Sequence, residues 1–181
     1  MKNTNLLGKR LESENGEIKF TYDKYWDAIN AICEDIRKKI DNKQYSDISL
    51  IGMARGALPM LVSISHELGI RTISMIQLKM SNSDTPRDYG KAELINKFID
   101  KDVKNCILIE DIIYKGQTTG VALDILKKEN IKVMGIYSLI LDEGYNKIEN
   151  KPIDVDINYA YDLKADDWVY FLWEQDLRKE I

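Results

Sequence analysis

The sequence predicts a single α/β domain spanning residues 1–181, with a mostly parallel sheet of about five strands flanked by helices. Two observations support this fold class. Short apolar runs with the length of buried strands alternate with stretches in which apolar residues recur at helical spacing. Two of the apolar runs lead through a glycine-containing turn into a helical stretch, which is typical of parallel strands covered on both faces.

The elements follow from periodicity in chain order. Within residues 5–22, the turn Glu14-Asn15-Gly16 and the alternating run EIKFTY predict a short hairpin. A helix is expected from a cap at Asp23 to about Ile40, with an apolar face made of Trp26, Ile29, Ile32, Cys33, Ile36 and Ile40. The remaining expected elements are strands at 48–53, 71–78, 92–99, 106–109 and 131–141, and helices at 59–69 and about 118–129.

Outside these elements, two segments look functional. The polar segment 79–91 contains Pro86 and Gly90, and a loop of this length and polarity is usually either disordered or a lid that closes over a site. From residue 142 the chain is polar up to Asp156 and then carries an aromatic cluster at 168–173. We therefore expect a core at about 23–141, with a hood formed by the N-terminal segment and residues 142–181.

Composition and charge narrow the function classes. The net charge of −4 argues against a primary role in nucleic-acid binding. No apolar run approaches the ~20 residues of a membrane span, and the start MKNTNLLGKRLES lacks the apolar region of a signal peptide. Cys33 and Cys106 fall on expected core positions and are interpreted as reduced packing residues. These features predict a cytoplasmic protein without a membrane partner.

The stretch NCILIEDIIYKGQTT, residues 105–119, is the strongest functional signal. Glu110 and Asp111 follow a buried strand on what we expect to be a loop, where carboxylates accept hydrogen bonds from vicinal hydroxyls or hold a hard cation. Gly116 permits a tight bend, Thr118 and Thr119 offer a helix N-cap, and a helix start favours phosphate. The pattern predicts a ribose 5-phosphate site, although an ordinary strand, acidic loop and capped helix would have the same spacing.

A second strand–loop–helix carries an arginine and a glycine at its bend, Arg55 and Gly56. An arginine binds phosphate through two parallel hydrogen bonds, and a glycine lets backbone amides approach the ligand. The alternative is a solvated arginine on a turn. His66, the only histidine, is interpreted as a packing or surface residue of the following helix.

Three segments resemble one family. ILIEDIIYKGQTT resembles the phosphoribosyl diphosphate (PRPP) signature of type I phosphoribosyltransferases, with Tyr114 in place of the aspartate usual in purine enzymes and Lys115 in place of threonine. ARGALP resembles the family's pyrophosphate loop, with Ala57 replacing a glycine. DDWVYFLWEQD resembles the tail of bacterial xanthine–guanine phosphoribosyltransferases, with Leu172 replacing a proline.

The resemblance implies the type I phosphoribosyltransferase fold and transfer of 5-phosphoribosyl from PRPP to a nucleobase, releasing pyrophosphate in nucleotide salvage. The base expected is a purine (guanine, xanthine or hypoxanthine), and the product is a nucleoside monophosphate. The resemblance further implies Mg²⁺ as cofactor and a homo-oligomer, either a dimer or a tetramer.

The same resemblance assigns site residues. It implies that Glu110 and Asp111 bind the ribose hydroxyls, with Asp111 also a ligand of the metal, and that Tyr114 completes the catalytic set. The PRPP and 5-phosphate residues implied are Glu110, Asp111, Ile112, Ile113, Tyr114, Lys115, Gly116, Gln117 and Thr118. Arg55 and Gly56 are implied to bind pyrophosphate, and Trp168 and Val169 to bind the base.

Two departures leave alternatives open. Leu139, Ile140 and Leu141 stand where the purine enzymes carry a lysine that reads the 6-oxo group. A tyrosine, with an ordinary pKa of about 10, is a poor general base at neutral pH, although it can donate a hydrogen bond. A pyrimidine-type transferase or PRPP-responsive RNA-binding regulator, favoured by Tyr114, is therefore one alternative. A non-catalytic nucleotide binder is the other.

Overall fold

The computed structural model describes residues 7–80, 91–149, 151–165 and 167–174. Its strands are β1 Lys9–Arg10, β2 Glu17–Lys19, β3 Ile48–Ala54, β4 Ile73–Met80, β5 Ala92–Phe98, β6 Asn105–Ile113, β7 Lys132–Asp142, β8 Ile157–Leu163 and β9 Trp168–Tyr170. Its helices are α1 Tyr22–Lys39, α2 Leu58–Leu68, α3 Gln117–Lys128 and α4 Glu143–Asn146, with a 3₁₀ helix at Asn42–Asp47.

The central sheet has seven strands in the order β1-β8-β7-β6-β3-β4-β5, and only β5 runs antiparallel to its neighbour. The predicted α/β class with a mostly parallel sheet is confirmed. The expected number of about five strands was too low because β8 joins the sheet beside β7, and the two-residue β1 pairs with β8. A strand of two residues is too short to show periodicity in the sequence.

Helices cover both faces of this sheet. From β3 the chain passes through α2 to β4, whereas from β6 it passes through α3 to β7 on the other side of the sheet centre. Right-handed crossovers in these opposite directions place α2 and α3 on opposite faces. α1 lies beside α2, where Tyr25 and Ser63 share a hydrogen bond of 2.8 Å and Arg37 bonds Glu67.

The first helix differs in detail from its prediction. The N-cap is Thr21, whose hydroxyl accepts a hydrogen bond from the Lys24 backbone N–H, so the expected cap at Asp23 was wrong. The buried face contains Tyr25 instead of Trp26, which is 36% exposed. The other apolar positions of the predicted face are buried: Ile29, Ile32, Cys33, Ile36 and Ile40.

The predicted N-terminal hairpin is correct only at its turn. Asn15 and Gly16 adopt positive φ, and backbone hydrogen bonds of 3.0 Å run both ways between Glu14 and Glu17. Beyond that bridge the strands separate, because β1 pairs with β8 in the main sheet and β2 pairs in parallel with β9 in a second, two-stranded sheet. The hairpin prediction was wrong because the partners of both strands are distant in sequence.

Within the described residues, no helix has both the length and the apolar character needed to cross a membrane. Cys33 and Cys106 are buried and unpaired by disulfide, and burial raises the pKa of each thiol to about 12. Both therefore act as inert packing residues. Most of the predicted lid at 79–91 lies outside the described residues.

Candidate active site at the carboxyl edge of the sheet

Strand β6 carries the acid pair to the carboxyl edge of the sheet. The ladder with β7 continues past the acids, since Ile112 and Ile113 pair with Ile140 and Leu141. Glu110 and Asp111 are thus strand residues, and the expectation that they lie on a loop was wrong. Glu110 is 6% exposed, whereas Asp111 keeps more of its surface accessible.

Burial and proximity determine the charge of this pair. Burial raises the pKa of Glu110 well above its usual value, and the neighbouring charge of Asp111 and a hydrogen bond to it raise that pKa further. Burial also raises the pKa of Asp111, but the hydrogen bond from Glu110 lowers it. Burial therefore favours the protonated form of Glu110 more strongly than that of Asp111.

Helix α3 supports Glu110 from the far side of the loop. Thr119 is 1% exposed, and its hydroxyl donates to Glu110 Oε2 at 3.4 Å. On the neighbouring strand, Ser138 donates to the backbone carbonyl of Asp111 at 3.3 Å. The sequence suggested Thr119 only as a helix cap and did not identify Ser138, because contacts between residues on separate elements leave no local pattern.

The loop after β3 meets Asp111 directly. A Cβ atom placed on Gly56 would lie 1.9 Å from Asp111 Oδ2 and 2.5 Å from its Cγ, so only glycine fits there with this carboxylate. The peptide bond between Ala54 and Arg55, one residue before the bond to Gly56, is cis, and the Arg55 side chain is exposed. The structure thus brings the predicted pyrophosphate residues and the predicted ribose residues to one place.

The loop from β6 to α3 encloses a small cavity. Gly116 is the N-cap of α3 with φ 70°, and no side chain caps this helix, so the expected cap at Thr118 or Thr119 was wrong. The first turn of α3 contains no acidic residue, which leaves its backbone N–H groups and positive dipole end suited to an anion. The cavity measures about 110 Å³ and is lined by Met80, Ile112, Tyr114, Lys115, Gly116, Gln117 and Thr118.

Most of the cavity lining coincides with the predicted 5-phosphate set. Met80 was missed because the sequence placed it in the polar segment after β4. The Gln117 side-chain oxygen is buried and has no hydrogen-bond partner among the described residues. A buried amide oxygen of this kind gains a hydrogen bond when a bound molecule donates to it. Alternatively, the amide group is turned so that its NH₂ occupies this position and donates to a bound anion.

The two residues predicted to bind the base lie on strand β9, and they differ in how exposed they are. Trp168 is 37% exposed, whereas Val169 is 4% exposed and belongs to the hydrophobic core. Phe171 stacks on Trp173 with ring centroids 4.8 Å apart. Just beyond, Glu174 lies close enough to the acid pair for its charge to add to burial in raising the pKa of Asp111. The base-binding role of Trp168 and Val169 stays a prediction.

The carboxyl groups at this edge of the sheet suit a cation that is held partly by the protein and partly by the phosphates of a bound ligand. Within the described ranges, no group of three or more His, Cys, Asp or Glu side chains could hold a metal ion by itself. Mg²⁺ is usually bound by one or two carboxylates together with phosphate oxygens and water. Asp111, the more accessible of the two carboxyl groups, fits such an ion, whereas Glu110 is buried.

A parallel sheet with an acid pair and two glycine loops at its carboxyl edge is the arrangement of an α/β protein suited to a phosphorylated, hydroxyl-bearing ligand. The model of the phosphoribosyl transferase domain family matches residues 23–179. The chain therefore belongs to the phosphoribosyltransferase family, and the predicted enzyme class is confirmed.

Individual relatives agree with this family at low identity. The chain is 24% identical over 160 residues to a xanthine-guanine phosphoribosyltransferase of Desulfotalea psychrophila, covering 88% of this chain and 90% of the relative. It is 25% identical over 128 residues to the bifunctional protein PyrR of Alkaliphilus metalliredigens, covering 67% and 69%. The crystal structure of a purine phosphoribosyltransferase from Pyrococcus horikoshii has the same fold, with a TM-score of 0.65, 23% identity, and coverage of 89% of this chain and 95% of that one.

Proposed function

We propose that this enzyme transfers the 5-phosphoribosyl group of PRPP to a ring nitrogen of a purine base (guanine, xanthine or hypoxanthine) and releases pyrophosphate. The observation that carries the proposal is the contact between Gly56 and Asp111. It joins the loop suited to a diphosphate to the carboxylate suited to a ribose, as PRPP requires. The similarity to a xanthine-guanine enzyme supports a purine as the acceptor.

In this proposal Glu110 and Asp111 have different roles in binding the ribose. Asp111 accepts a hydrogen bond from a ribose hydroxyl, and Glu110, whose pKa burial raises well above its usual value, donates one when it is protonated. Thr119 and the shared hydrogen bond hold Glu110 in place. Asp111 would also be the protein ligand of Mg²⁺, which neutralises charge on the diphosphate leaving group when bound.

The two loops bind the two phosphate ends. The backbone N–H groups at the start of α3, with the side chains of residues 114–118, surround the 5-phosphate, and the exposed Lys115 adds a positive charge. Ile112 and Ile113 contribute through their backbone position at the end of β6. Arg55 and the backbone at Gly56 bind the pyrophosphate. The bond from the anomeric carbon to the diphosphate oxygen breaks, and a carbon–nitrogen bond to the base forms.

The test is pyrophosphate release from PRPP and Mg²⁺ with guanine, xanthine, hypoxanthine or uracil as the acceptor. We expect turnover with at least one of the three oxopurines. Absence of turnover with all three oxopurines would reject the purine assignment. Any base-dependent release would also reject the alternative of a non-catalytic nucleotide binder.

A pyrimidine-type transferase or PRPP-responsive RNA-binding regulator is the second candidate, because Tyr114 replaces the usual aspartate and one relative is named PyrR. Turnover with uracil but with no oxopurine would favour it. Replacing the tyrosine also separates the candidates: we expect Tyr114→Asp to keep or raise purine turnover. Complete loss of turnover in Tyr114→Asp would show that the hydroxyl or ring has a role of its own.

Three further expectations accompany this proposal. The division into a core and a hood stays a prediction, which the pairing of β2 with β9 supports because it joins the N-terminal and C-terminal segments. The cytoplasmic location and the homo-oligomeric assembly stay predictions from the sequence. Light scattering on the purified chain measures the assembly directly.

A further inference from the structure

The turn that begins α3 is contacted from outside the cavity that it encloses. An ideal Cβ on Gly116 would lie 2.9 Å from both Tyr145 and Ile153. The same Cβ would lie 3.2 Å from Pro152. Gly116 lines the small cavity, whereas none of these three neighbours does. Helix α4 and the chain that connects it to β8 therefore pack against the turn on a side away from the cavity.

Pro152 also contacts a second glycine of the same helix. An ideal Cβ on Gly120 would lie 3.0 Å from the Cβ and from the carbonyl oxygen of Pro152. Gly120 donates its backbone N–H to the Gly116 carbonyl at 2.8 Å, so the two glycines lie one helical turn apart. Because neither glycine carries a Cβ, the connection approaches the first turn of α3 closely. We call Tyr145, Pro152 and Ile153 the supporting residues of this turn.

Tyr145 fixes the supporting residues through its hydroxyl as well as its ring. Tyr145 is 3% exposed and Ile153 is 7% exposed, and both belong to the hydrophobic core. Burial raises the pKa of the Tyr145 hydroxyl, and a hydrogen bond from the Ile153 backbone N–H opposes that rise. Tyr145 thus contacts Gly116 directly and also holds the backbone of a second residue that contacts it.

The geometry of this turn matters for binding an anion. Gly116 is the N-cap of α3 with φ 70°, and no side chain caps the helix. A helix start binds phosphate when its backbone N–H groups point at one place, so a displaced turn binds more weakly. The supporting residues pack against the turn and therefore hold its N–H groups in position.

We propose that Tyr145 is a positioning residue for 5-phosphate binding and that it acts through Gly116 and Ile153. This inference rests on the proposed function, because it concerns the strength with which the α3 turn binds the 5-phosphate of PRPP. It adds a residue that lies outside the three segments resembling the family.

The experiment measures binding of two ligands by calorimetry. Ribose 5-phosphate probes the α3 turn, and pyrophosphate with Mg²⁺ probes the loop at Arg55 and Gly56. Tyr145→Phe keeps the ring and removes the hydroxyl, and it should weaken ribose 5-phosphate binding at least about fivefold, the contribution of one hydrogen bond. Its affinity for pyrophosphate should be that of the wild type. In steady-state kinetics, the KM for PRPP should rise while kcat stays unchanged.

Tyr161→Phe is the matched control. Tyr161 is also 3% exposed, and its hydroxyl donates to the Lys24 backbone carbonyl at 3.2 Å, a contact between β8 and α1. This variant should lose stability as Tyr145→Phe does, yet bind ribose 5-phosphate as the wild type does. Pro152→Ala tests the same turn from a second residue and should also weaken ribose 5-phosphate binding. Circular dichroism shows which variants are folded, and Pro152→Ala decides the matter if Tyr145→Phe does not fold.

Three results overturn the proposal. They are wild-type affinity for ribose 5-phosphate in Tyr145→Phe, an equal loss of affinity for both ligands, and the same loss in Tyr161→Phe. The last two would indicate a general loosening of the fold. A wild type that does not bind ribose 5-phosphate overturns this proposal and the proposed phosphate site together. A wild type that binds ribose 5-phosphate but releases no pyrophosphate from PRPP with any base rejects the proposed reaction alone.

Discussion

The two strand–loop–helix units of this enzyme use glycine for different reasons. Between β3 and α2, Gly56 is required by a neighbouring side chain, since a Cβ would overlap the carboxylate of Asp111. Between β6 and α3, Gly116 has φ 70°, and a Cβ there would lie 2.9 Å from both Tyr145 and Ile153. The first constraint comes from the ligand site, whereas the second comes from backbone conformation and packing. Substitutions at the two glycines should therefore affect different properties, activity in one case and stability in the other.

The largest expected effect is on stability, at Gly116. Gly69 ends α2 with φ 71° and has nothing within 4 Å of its ideal Cβ, so it isolates the backbone contribution. We expect Gly69→Ala to reduce the free energy of unfolding by about 1 kcal/mol. Gly116→Ala should reduce it by about 3 kcal/mol, because overpacking against Tyr145 and Ile153 adds to the same backbone cost. Urea denaturation measures both values, and equal losses would show that packing around Gly116 adjusts freely.

The second prediction concerns activity at Gly56. Gly56→Ala should displace the Asp111 carboxylate and lower kcat/KM for PRPP at least about 100-fold, or ~2.7 kcal/mol. Gly135→Ala on β7 is the matched control, since its ideal Cβ would meet its nearest neighbouring atom at 3.6 Å, an ordinary contact. Steady-state kinetics on both variants tests this. Wild-type kinetics in Gly56→Ala would mean that Asp111 can move without loss.

The third prediction removes the charge of Asp111 while keeping its shape. Asp111→Asn should reduce PRPP affinity or turnover at least about tenfold, a loss of ~1.4 kcal/mol, because the amide binds neither a ribose hydroxyl nor a cation as a carboxylate does. Asp124→Asn changes the net charge equally at an exposed position of α3 and should behave as the wild type. PRPP binding and pyrophosphate release are the measurements, and unchanged values for Asp111→Asn would refute the assigned role.

The smallest expected effect is a dependence of stability on pH from Glu110. Its pKa is raised in the folded protein, chiefly by burial, so folding favours the protonated carboxyl. The stability of the wild type should therefore fall as the pH rises above the ordinary value of 4.5, until the raised pKa is passed. Glu110→Gln removes this loss.

Thermal unfolding of the two proteins across pH measures this difference. The melting temperatures of the two proteins should agree near pH 4, where the Glu110 carboxyl is protonated in both the folded and the unfolded chain. At pH 7 the variant should melt about 2–4 °C higher, the shift that ~1 kcal/mol produces in a domain of this size. A constant difference at all pH values would exclude ionisation of Glu110 as the cause.

Sequence patterns predicted the strands, loops and helices that carry the site better than they predicted the contacts between its residues. The apolar run at 106–109, the acids at 110 and 111, and the glycine turn identified β6, the loop and α3 because each is a local property of the chain. Periodicity failed at Ile112 and Ile113, which pair with β7 and carry the strand past the acids. It failed again at residues 5–22, where the partners of β1 and β2 lie about 150 residues away.

The sequence by itself determined the parallel α/β fold class, the two glycine loops and the family, because periodicity and short motifs depend on neighbouring residues. Only the tertiary structure decided that Gly56 contacts Asp111, that Thr119 bonds Glu110, and that burial raises the pKa of Glu110. These properties arise from burial and from contacts between separate elements, which no local pattern records.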